Sequence, residues 1–365
     1  MLAYRLKWRR ILVAHRLGSP FPVATLPLFG RTKTRESHVS TNVLRNGLHK
    51  QAPKHIELRG ESGRHYLIKK VLQEKELTRL RVYLAVSDEQ QFVLKEVFQN
   101  DFNYYRNMHK DLGSPYLRTL SDTIPEESLF VYKYFTDHLL RMAPQTNLPL
   151  DITKRILRDA LRGIAALHER DIVHTDIKAN NILINWRIEK EDPRKIVVDQ
   201  VQLSDVEDAV HLHPGRSIIG KQLGNYMWRS PEAHARGPIN KASDIFSFGV
   251  VCIYAMLKEA IFSMDESQLP EGVEPLSVIL ERQLSYFANA ESLNGFLAYL
   301  GDENPWCNAF KTLWEGFNER NPRKPFSMCQ DIDKDFRDLV CALMHFDPPK
   351  RITAETALKH PWFTR

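Results

Sequence analysis

Acid is missing from the start of this chain. Residues 1–35, MLAYRLKWRRILVAHRLGSPFPVATLPLFGRTKTR, hold eight Lys/Arg and no Asp or Glu. The 365 residues carry a formal net charge of +6, yet the rest of the chain holds 43 basic against 45 acidic residues. The body is nearly neutral, so direct nucleic-acid binding through a basic face is not expected. The start itself, with Leu2, Leu6, Val13 and Leu17 near helical spacing, fits a mitochondrial transit peptide or an unstructured basic arm, and both readings stay open. Paired cysteines are missing too. Cys252, Cys307, Cys329 and Cys341 form no C-x-x-C, which gives neither zinc-ligand spacing nor a disulfide framework. Reduced thiols and an intracellular location, cytoplasmic or nuclear with mitochondrial import as the alternative, are the expectation. No apolar run reaches the roughly 18 residues of a spanning helix. No internal repeat appears. Glycine is absent from residues 72–83, LQEKELTRLRVY, a turn between two strand-like runs.

What is present is a change of pattern. Residues 1–60 read as a basic tail and linker, without sustained periodicity. From residue 66, YLIKKVLQ, RLRVYLAV and QQFVLKEVF are short and β-branched and predict three antiparallel strands. DFNYYRNMHKDL predicts a helix, and YLRTLSDTI and SLFVYKYF two further strands around the turn PEE. From about residue 150 the period becomes helical. In LDITKRILRDALRGIAALHER, Ile152, Ile156, Ala160 and Ile164 share a face, with Asp151 as the expected N-cap. DIFSFGVVCIYAML is apolar nearly all round and predicts a buried helix. KDFRDLVCALM and TAETALKHPWF predict later helices.

Between the first long helix and an aliphatic strand stands IVHTDIKANNILIN, residues 172–185. It sets one carboxylate, one ammonium and one amide within six residues. That combination suits phosphoryl transfer. Asp176 can orient a hydroxyl and accept its proton. Lys178 can neutralise charge on a moving phosphoryl group. The amide oxygen of Asn181 can ligate a divalent cation, which prefers oxygen donors.

HTDIKANN resembles the catalytic loop H-R-D-x-K-x-x-N of the eukaryotic protein kinases, serine/threonine type because of Lys178. The likeness runs from about residue 66 to 363 through six motifs in order. Lys95 in FVLKEV matches the strand lysine that holds nucleotide phosphates. Asp205 in VQLSDVED matches the magnesium aspartate of D-F-G. SPE at 230–232 matches A-P-E, and SDIFSFG matches D-x-W-S-x-G, so that Asp244 is expected to bond the catalytic-loop backbone. HFDPPKRITAETALKHPWF matches the C-terminal signature, with Arg351 expected to pair with Glu232. HTDIK, together with the long insert WRIEKEDPRKIVVDQ, looks like the SR-protein kinases and related fungal kinases.

The resemblance implies an α+β, bilobal fold: a small five-stranded antiparallel N-lobe over about 66–135 and a mainly helical C-lobe over about 136–363. It implies ATP with magnesium, and a protein substrate offering a Ser/Thr hydroxyl. Asp176 would be the base, Lys178 the phosphoryl clamp, and Asn181 and Asp205 the metal ligands. Lys95 would hold the triphosphate. Adenine would lie near Lys133, Tyr134 and Phe135, against Val82, Val93 and Leu183. The chain also departs from the family. The nucleotide-covering turn has no glycine, and FNYYRNMHK lacks the glutamate that pairs with the strand lysine. D-F-G becomes Asp205-Val206-Glu207. Thr175 replaces the arginine that clasps a phosphorylated loop, and Asn225 replaces a threonine. A pseudokinase using the fold as a scaffold is therefore the competing function, and a small-molecule kinase the third.

Overall fold

The computed structural model describes residues 56–365, except 146, 147, 191, 193, 194, 264, 266 and 268. The basic start, with both of its readings, lies outside the described residues. The described residues fall into two compact units, divided between Thr136 and Asp137. One is built on a sheet and the other is mainly helical, the α+β architecture the sequence pattern implies.

The first unit is an antiparallel sheet of six strands: β1 Glu57–Arg59, β2 His65–Glu74, β3 Arg81–Ser87, β4 Gln90–Glu96, β5 Asp122–Ile124 and β6 Leu129–Lys133. Their spatial order is β1-β2-β3-β4-β6-β5. The expected five strands are thus one too few. The sixth is ELR, three residues that are too short to show a period. It is placed by pairing with β2, Leu58 opposite Tyr66, while Ile56 and Leu58 pack on the sheet. YLRTLSDTI is extended in the ladder only over its last three residues. Between β3 and β4, Asp88 and Glu89 take φ of 47° and 63°, the two-residue turn whose twist suits a hairpin.

The alternating side chains cover both faces. Tyr66, Ile68, Tyr83, Ala85, Phe92 and Leu94 form one apolar cluster. Val93, Phe130 and Tyr132 form the other, closed by Phe102 from helix α1, Gln99–Lys110. Two packed faces explain why β4 and β6 read as nearly continuous apolar runs rather than clean alternation.

In the second unit come α2 Leu139–Gln145 and α3 Leu150–His168. Ile156, Ala160 and Ile164 of α3 are buried as the spacing predicts. Its N-cap is Pro149 rather than Asp151, which sits in the first turn where a carboxylate complements the helix dipole. α4 Pro231–His234 precedes α5 Lys241–Leu257, the expected buried helix, capped by the Asn240 side chain. Then follow α6 Pro275–Phe287, α7 Ala290–Leu300, α8 Trp306–Glu315 and α9 Lys334–Leu343. TAETALKHPWF forms two short helices, α10 Ala354–Leu358 and α11 Pro361–Thr364. Pro361 has no N–H with which to continue the first.

Strands also occur here. β7 Asp137–His138, β9 Ile182–Ile188 and β10 Ile196–Leu203 make one small sheet, and β8 Ile172–Val173 with β11 Val210–His211 make another. The insert WRIEKEDPRKIVVDQ contributes the outer arms of the β9–β10 hairpin, bulged at Asp199. No helix among the described residues is long and apolar enough to cross a membrane.

Candidate active site

The loop after β8 is suspended from one buried carboxylate. Asp244, 1% exposed, lies in the first turn of α5. It accepts from the backbone N–H of His174 at 2.8 Å and of Thr175 at 2.9 Å, and contacts His168 Nε2 at 3.0 Å. These donors offset the cost of burying its charge. This is the role its motif implies. His174 is buried with its Nε2 on the Ser204 carbonyl at 2.8 Å, a structural position to which the sequence assigns no chemistry.

Suspended there, Thr175 takes φ 66° and turns the chain so that the next side chain leaves the core. That side chain is Asp176. Its Oδ2 meets Lys178 Nζ at 2.5 Å, and its Oδ1 accepts from the backbone N–H of Asn225 at 2.9 Å. Asn181, 4% exposed, donates its Nδ2 to the Asp176 carbonyl at 2.9 Å. With its nitrogen so committed, the Asn181 amide keeps its oxygen for another partner. Ser204 donates to the Asn181 carbonyl, from N at 2.8 Å and from Oγ at 3.2 Å. Asp205 follows at once, at φ 67°. One residue, Ser204, separates it from the end of β10, whereas Asp208 is exposed at the end of a 3₁₀ turn over Val206–Asp208.

The far end of segment 205–232 returns to the same loop. Gly224 has φ 80°, and a Cβ there would lie 2.6 Å from the Thr175 carbonyl oxygen, so only glycine fits. Arg229 donates to the carbonyls of Leu223 at 2.8 Å and Gly224 at 2.6 Å. Burial pushes its guanidinium down to about 10, with the Asp176 carboxylate opposing. Behind it Glu232 and Arg351, both with fully buried side chains, form a bidentate pair at 2.6 and 2.8 Å, and Ser243 Oγ donates to Glu232 at 2.7 Å. That is the pairing the two terminal motifs imply. Gly224, Arg229 and the Thr175 hydroxyl are contacts the sequence reading did not single out. The only signal was the glycine in GNYMWRSPE.

Leu183 belongs to this unit, half-buried on β9 opposite Gln202. The other named residues lie in the sheet unit. Lys95 is half-buried on β4 opposite Val82 and Phe130, and alternation puts it on the side of Val93. Val82, Val93 and Tyr134 belong to the cluster that packs on Phe102 of α1. Lys133 is exposed at the end of β6, its carbonyl held by Arg118 at 2.9 Å, and Phe135 is buried. Helix α1 carries a single acid, Asp101 in its first turn. Glu96 points to the opposite side from Lys95, where it accepts from the Tyr83 hydroxyl at 2.5 Å and the Arg81 N–H at 2.8 Å. The glycine-free turn uses its own amides: Lys75 N–H bonds the Leu80 carbonyl at 2.9 Å and Arg79 N–H the Lys75 carbonyl at 2.7 Å. β2 has two register shifts beside it, at Ile68/Lys70 and Val71/Gln73.

Comparison with known proteins agrees with the family that the motifs resemble. A family model described as "Protein kinase domain" matches residues 58–363. The chain is 29% identical over 231 residues to Extracellular signal-regulated kinase 1 of Dictyostelium discoideum, covering 62% of this chain and 38% of that protein. It is 26% identical over 257 residues to Serine/threonine-protein kinase AFC1 of Arabidopsis thaliana, covering 62% and 52%. The corresponding figures for the Serine/threonine-protein kinase US3 homolog of varicella-zoster virus are 27% over 241 residues, 64% and 56%. The matches thus span between 38% and 56% of the length of these relatives.

Proposed function

The chain belongs to the protein kinase family, and we propose that it is a serine/threonine kinase moving the γ-phosphate of ATP to a protein hydroxyl. The observation that carries this is the Asp176 carboxylate, gripped on one oxygen by Lys178 and on the other by the Asn225 N–H. A scaffold has no need for such convergence.

In this reading Asp176 orients the acceptor hydroxyl and takes its proton. Lys178, already beside it, places a positive charge where the transferred phosphoryl group passes. Asn181, through its amide oxygen, and Asp205, through its carboxylate, would hold magnesium. Among the described residues no cluster of three or more His, Cys, Asp or Glu could hold a metal alone. A two-ligand set fits magnesium, which commonly takes one or two protein oxygens and completes its shell with phosphates and water. The metal supplies charge neutralisation on the phosphates. By the family resemblance Lys95 is the candidate for the phosphates, Val82, Val93, Lys133, Tyr134 and Phe135 of the sheet unit are candidates for adenine, and Leu183 is the candidate from the helical unit. HTDIK and the long β9–β10 hairpin support a place near the SR-protein kinases and related fungal kinases. Reduced cysteines support an intracellular setting.

A pseudokinase is the second reading, favoured by the turn that spends its amides on itself and by the helix without glutamate. Calorimetry with nucleotide, with and without magnesium, separates the two. The wild type should bind nucleotide with magnesium and lose most of that affinity on chelation. Asp205→Asn should reproduce the loss. Asp176→Asn should bind normally, because it removes the base and no metal ligand. A wild type that binds no nucleotide under any condition would sink the catalytic reading.

A further inference from the structure

Segment 209–231, AVHLHPGRSIIGKQLGNYMWRSP, contains no Asp or Glu, although the body of the chain is nearly neutral. It carries Arg216, Lys221 and Arg229, with His211 and His213. Arg229 is spent inside the fold, on the carbonyls of Leu223 and Gly224. Arg216 and Lys221 are not. Both are exposed, and neither has an acid partner among the described residues. Lys241, which follows the Asn240 that reaches Ser217, differs: Asp171 neutralises it at 2.6 Å. Of the two acids that bound the segment, Glu232 is buried against Arg351, and Asp208 lies at the end remote in sequence from Lys221.

The fold fixes where these two cations stand. Gly220 N–H bonds the Arg236 carbonyl at 2.9 Å and Gln222 Nε2 the His234 carbonyl at 2.7 Å, so Lys221 is pinned on both sides. Ile218 and Ile239 exchange backbone bonds at 2.9 and 2.8 Å, and Asn240 Nδ2 reaches Ser217 Oγ at 3.3 Å, which holds the chain beside Arg216. From Lys221 the chain runs to Asn225, whose N–H is on Asp176 Oδ1 at 2.9 Å. That stretch spans at most about 14 Å, so Lys221 is within reach of side chains a few positions from a hydroxyl held at Asp176. Exposed Ile219 and Tyr226 add apolar contact on the same stretch.

We infer that the acceptor is an acidic peptide: a serine or threonine with Asp or Glu within a few positions, recognised through Arg216 and Lys221. The inference rests on the kinase reading for the transfer and deepens it by naming the substrate class. The binding of such a peptide does not depend on that reading. Carboxylates suit an exposed guanidinium and an exposed ammonium that have no partner of their own. Complementary charge also speeds encounter, and like charge turns a basic peptide away.

Peptide transfer and peptide binding on the full chain test it. The protein is treated with phosphatase first, because a phosphate on Ser217 would compete for the same cations. Three peptides share one central serine, with Asp/Glu, Ala/Gly or Lys/Arg as its neighbours. Wild type should give a kcat/KM for the acidic peptide about fivefold or more above the neutral one, with the basic one lowest. The gap should close in about 1 M salt. Arg216→Glu with Lys221→Glu should reverse the order and leave KM for ATP unchanged. Arg216→Lys with Lys221→Arg should keep the order. Lys221→Ala alone should weaken the acidic peptide about twofold or more, and an unchanged value there overturns the inference even should the reversed protein fail to fold. Fluorescence anisotropy of the fluorescein-labelled acidic peptide repeats the comparison without transfer. If wild type labels peptides without preferring the acidic one, or the reversal leaves the order as it was, the inference falls and the kinase reading stands. If no peptide is labelled, yet the acidic peptide binds wild type and not the reversed protein, the kinase reading falls and the acidic-peptide surface stands. Neither labelling nor binding sinks both.

Discussion

The backbone N–H of Asn225 donates to Oδ1 of Asp176 at 2.9 Å, while Lys178 Nζ meets Oδ2 at 2.5 Å. Each oxygen of the proposed base therefore has its own donor. In the family a threonine side chain serves at position 225; here the main chain does, and the Asn225 side chain instead accepts from Met227 N–H at 3.1 Å. Main-chain positioning makes the site depend on the path of the segment rather than on the side chain at 225.

Gly224→Ala should expose that dependence. The added Cβ meets the Thr175 carbonyl, and φ 80° disfavours any side chain. The segment must shift, and the Asn225 N–H with it. Stability should fall by about 1–3 kcal/mol, the cost of forcing a residue into a strained conformation. The kcat should fall further than Tm alone explains. Thermal melting beside steady-state kinetics checks both.

Arg351→Met should be far worse for folding than for chemistry. It leaves the Glu232 carboxylate buried without its partner, and breaking a buried pair costs about 3–5 kcal/mol. Replacing both residues, Glu232→Gln with Arg351→Met, should recover part of that loss. Denaturant unfolding of the single and double variants measures the coupling.

Acid should destabilise the helical unit in two stages. Burial, then the Arg229 charge, pushes the His234 ring well below its ordinary 6.5. The unfolded chain takes a proton that the native ring refuses, so stability falls as pH drops below about 6.5. Glu232 acts lower. Burial alone would raise its carboxyl, but Arg351 outweighs that and holds it below its ordinary 4.5. Its contribution is complete above that value and is lost as pH falls through its folded pKa. Tm against pH should show both stages, and His234→Leu should flatten the first.

Ser217→Ala should change the transfer rate by less than about twofold. The hydroxyl receives a long bond, 3.3 Å from Asn240, and meets the Tyr299 hydroxyl, and such neutral bonds are worth little. A large fall in rate would show that a phosphate at Ser217 is read after all, with Arg216 or Lys221 as the reader.

Sequence and structure agree where one segment contains its own reasons. The buried helix α5 and the stripe of α3 were legible because residue type and period alone specify them, and the proposed site was read from the residue types of the loop after β8. The Arg351–Glu232 pair was legible only through the order of the motifs, because 119 positions separate its members. Strand β1 was not legible. Three residues have no period, and pairing with β2 places them. The Thr175 hydroxyl was missed for a different reason: its partner is a main-chain carbonyl at Asp208, and no side-chain pattern announces a backbone acceptor. The departures from the family, the glycine-free turn and the helix without glutamate, were plain in the sequence. The turn shows what became of them, since its amides close on Lys75 and Leu80.

The central claim is that Asp176 is the base of a phosphoryl transfer. It is tested most directly by phosphate transfer from labelled ATP, with magnesium, to a mixed peptide library, wild type beside Asp176→Asn. Wild type should label peptides on serine or threonine. Asp176→Asn, which keeps the size of the side chain and loses its basicity, should be slower by about 10²–10⁴-fold, the range for a general base. No transfer by wild type, or equal transfer by both proteins, would contradict the account.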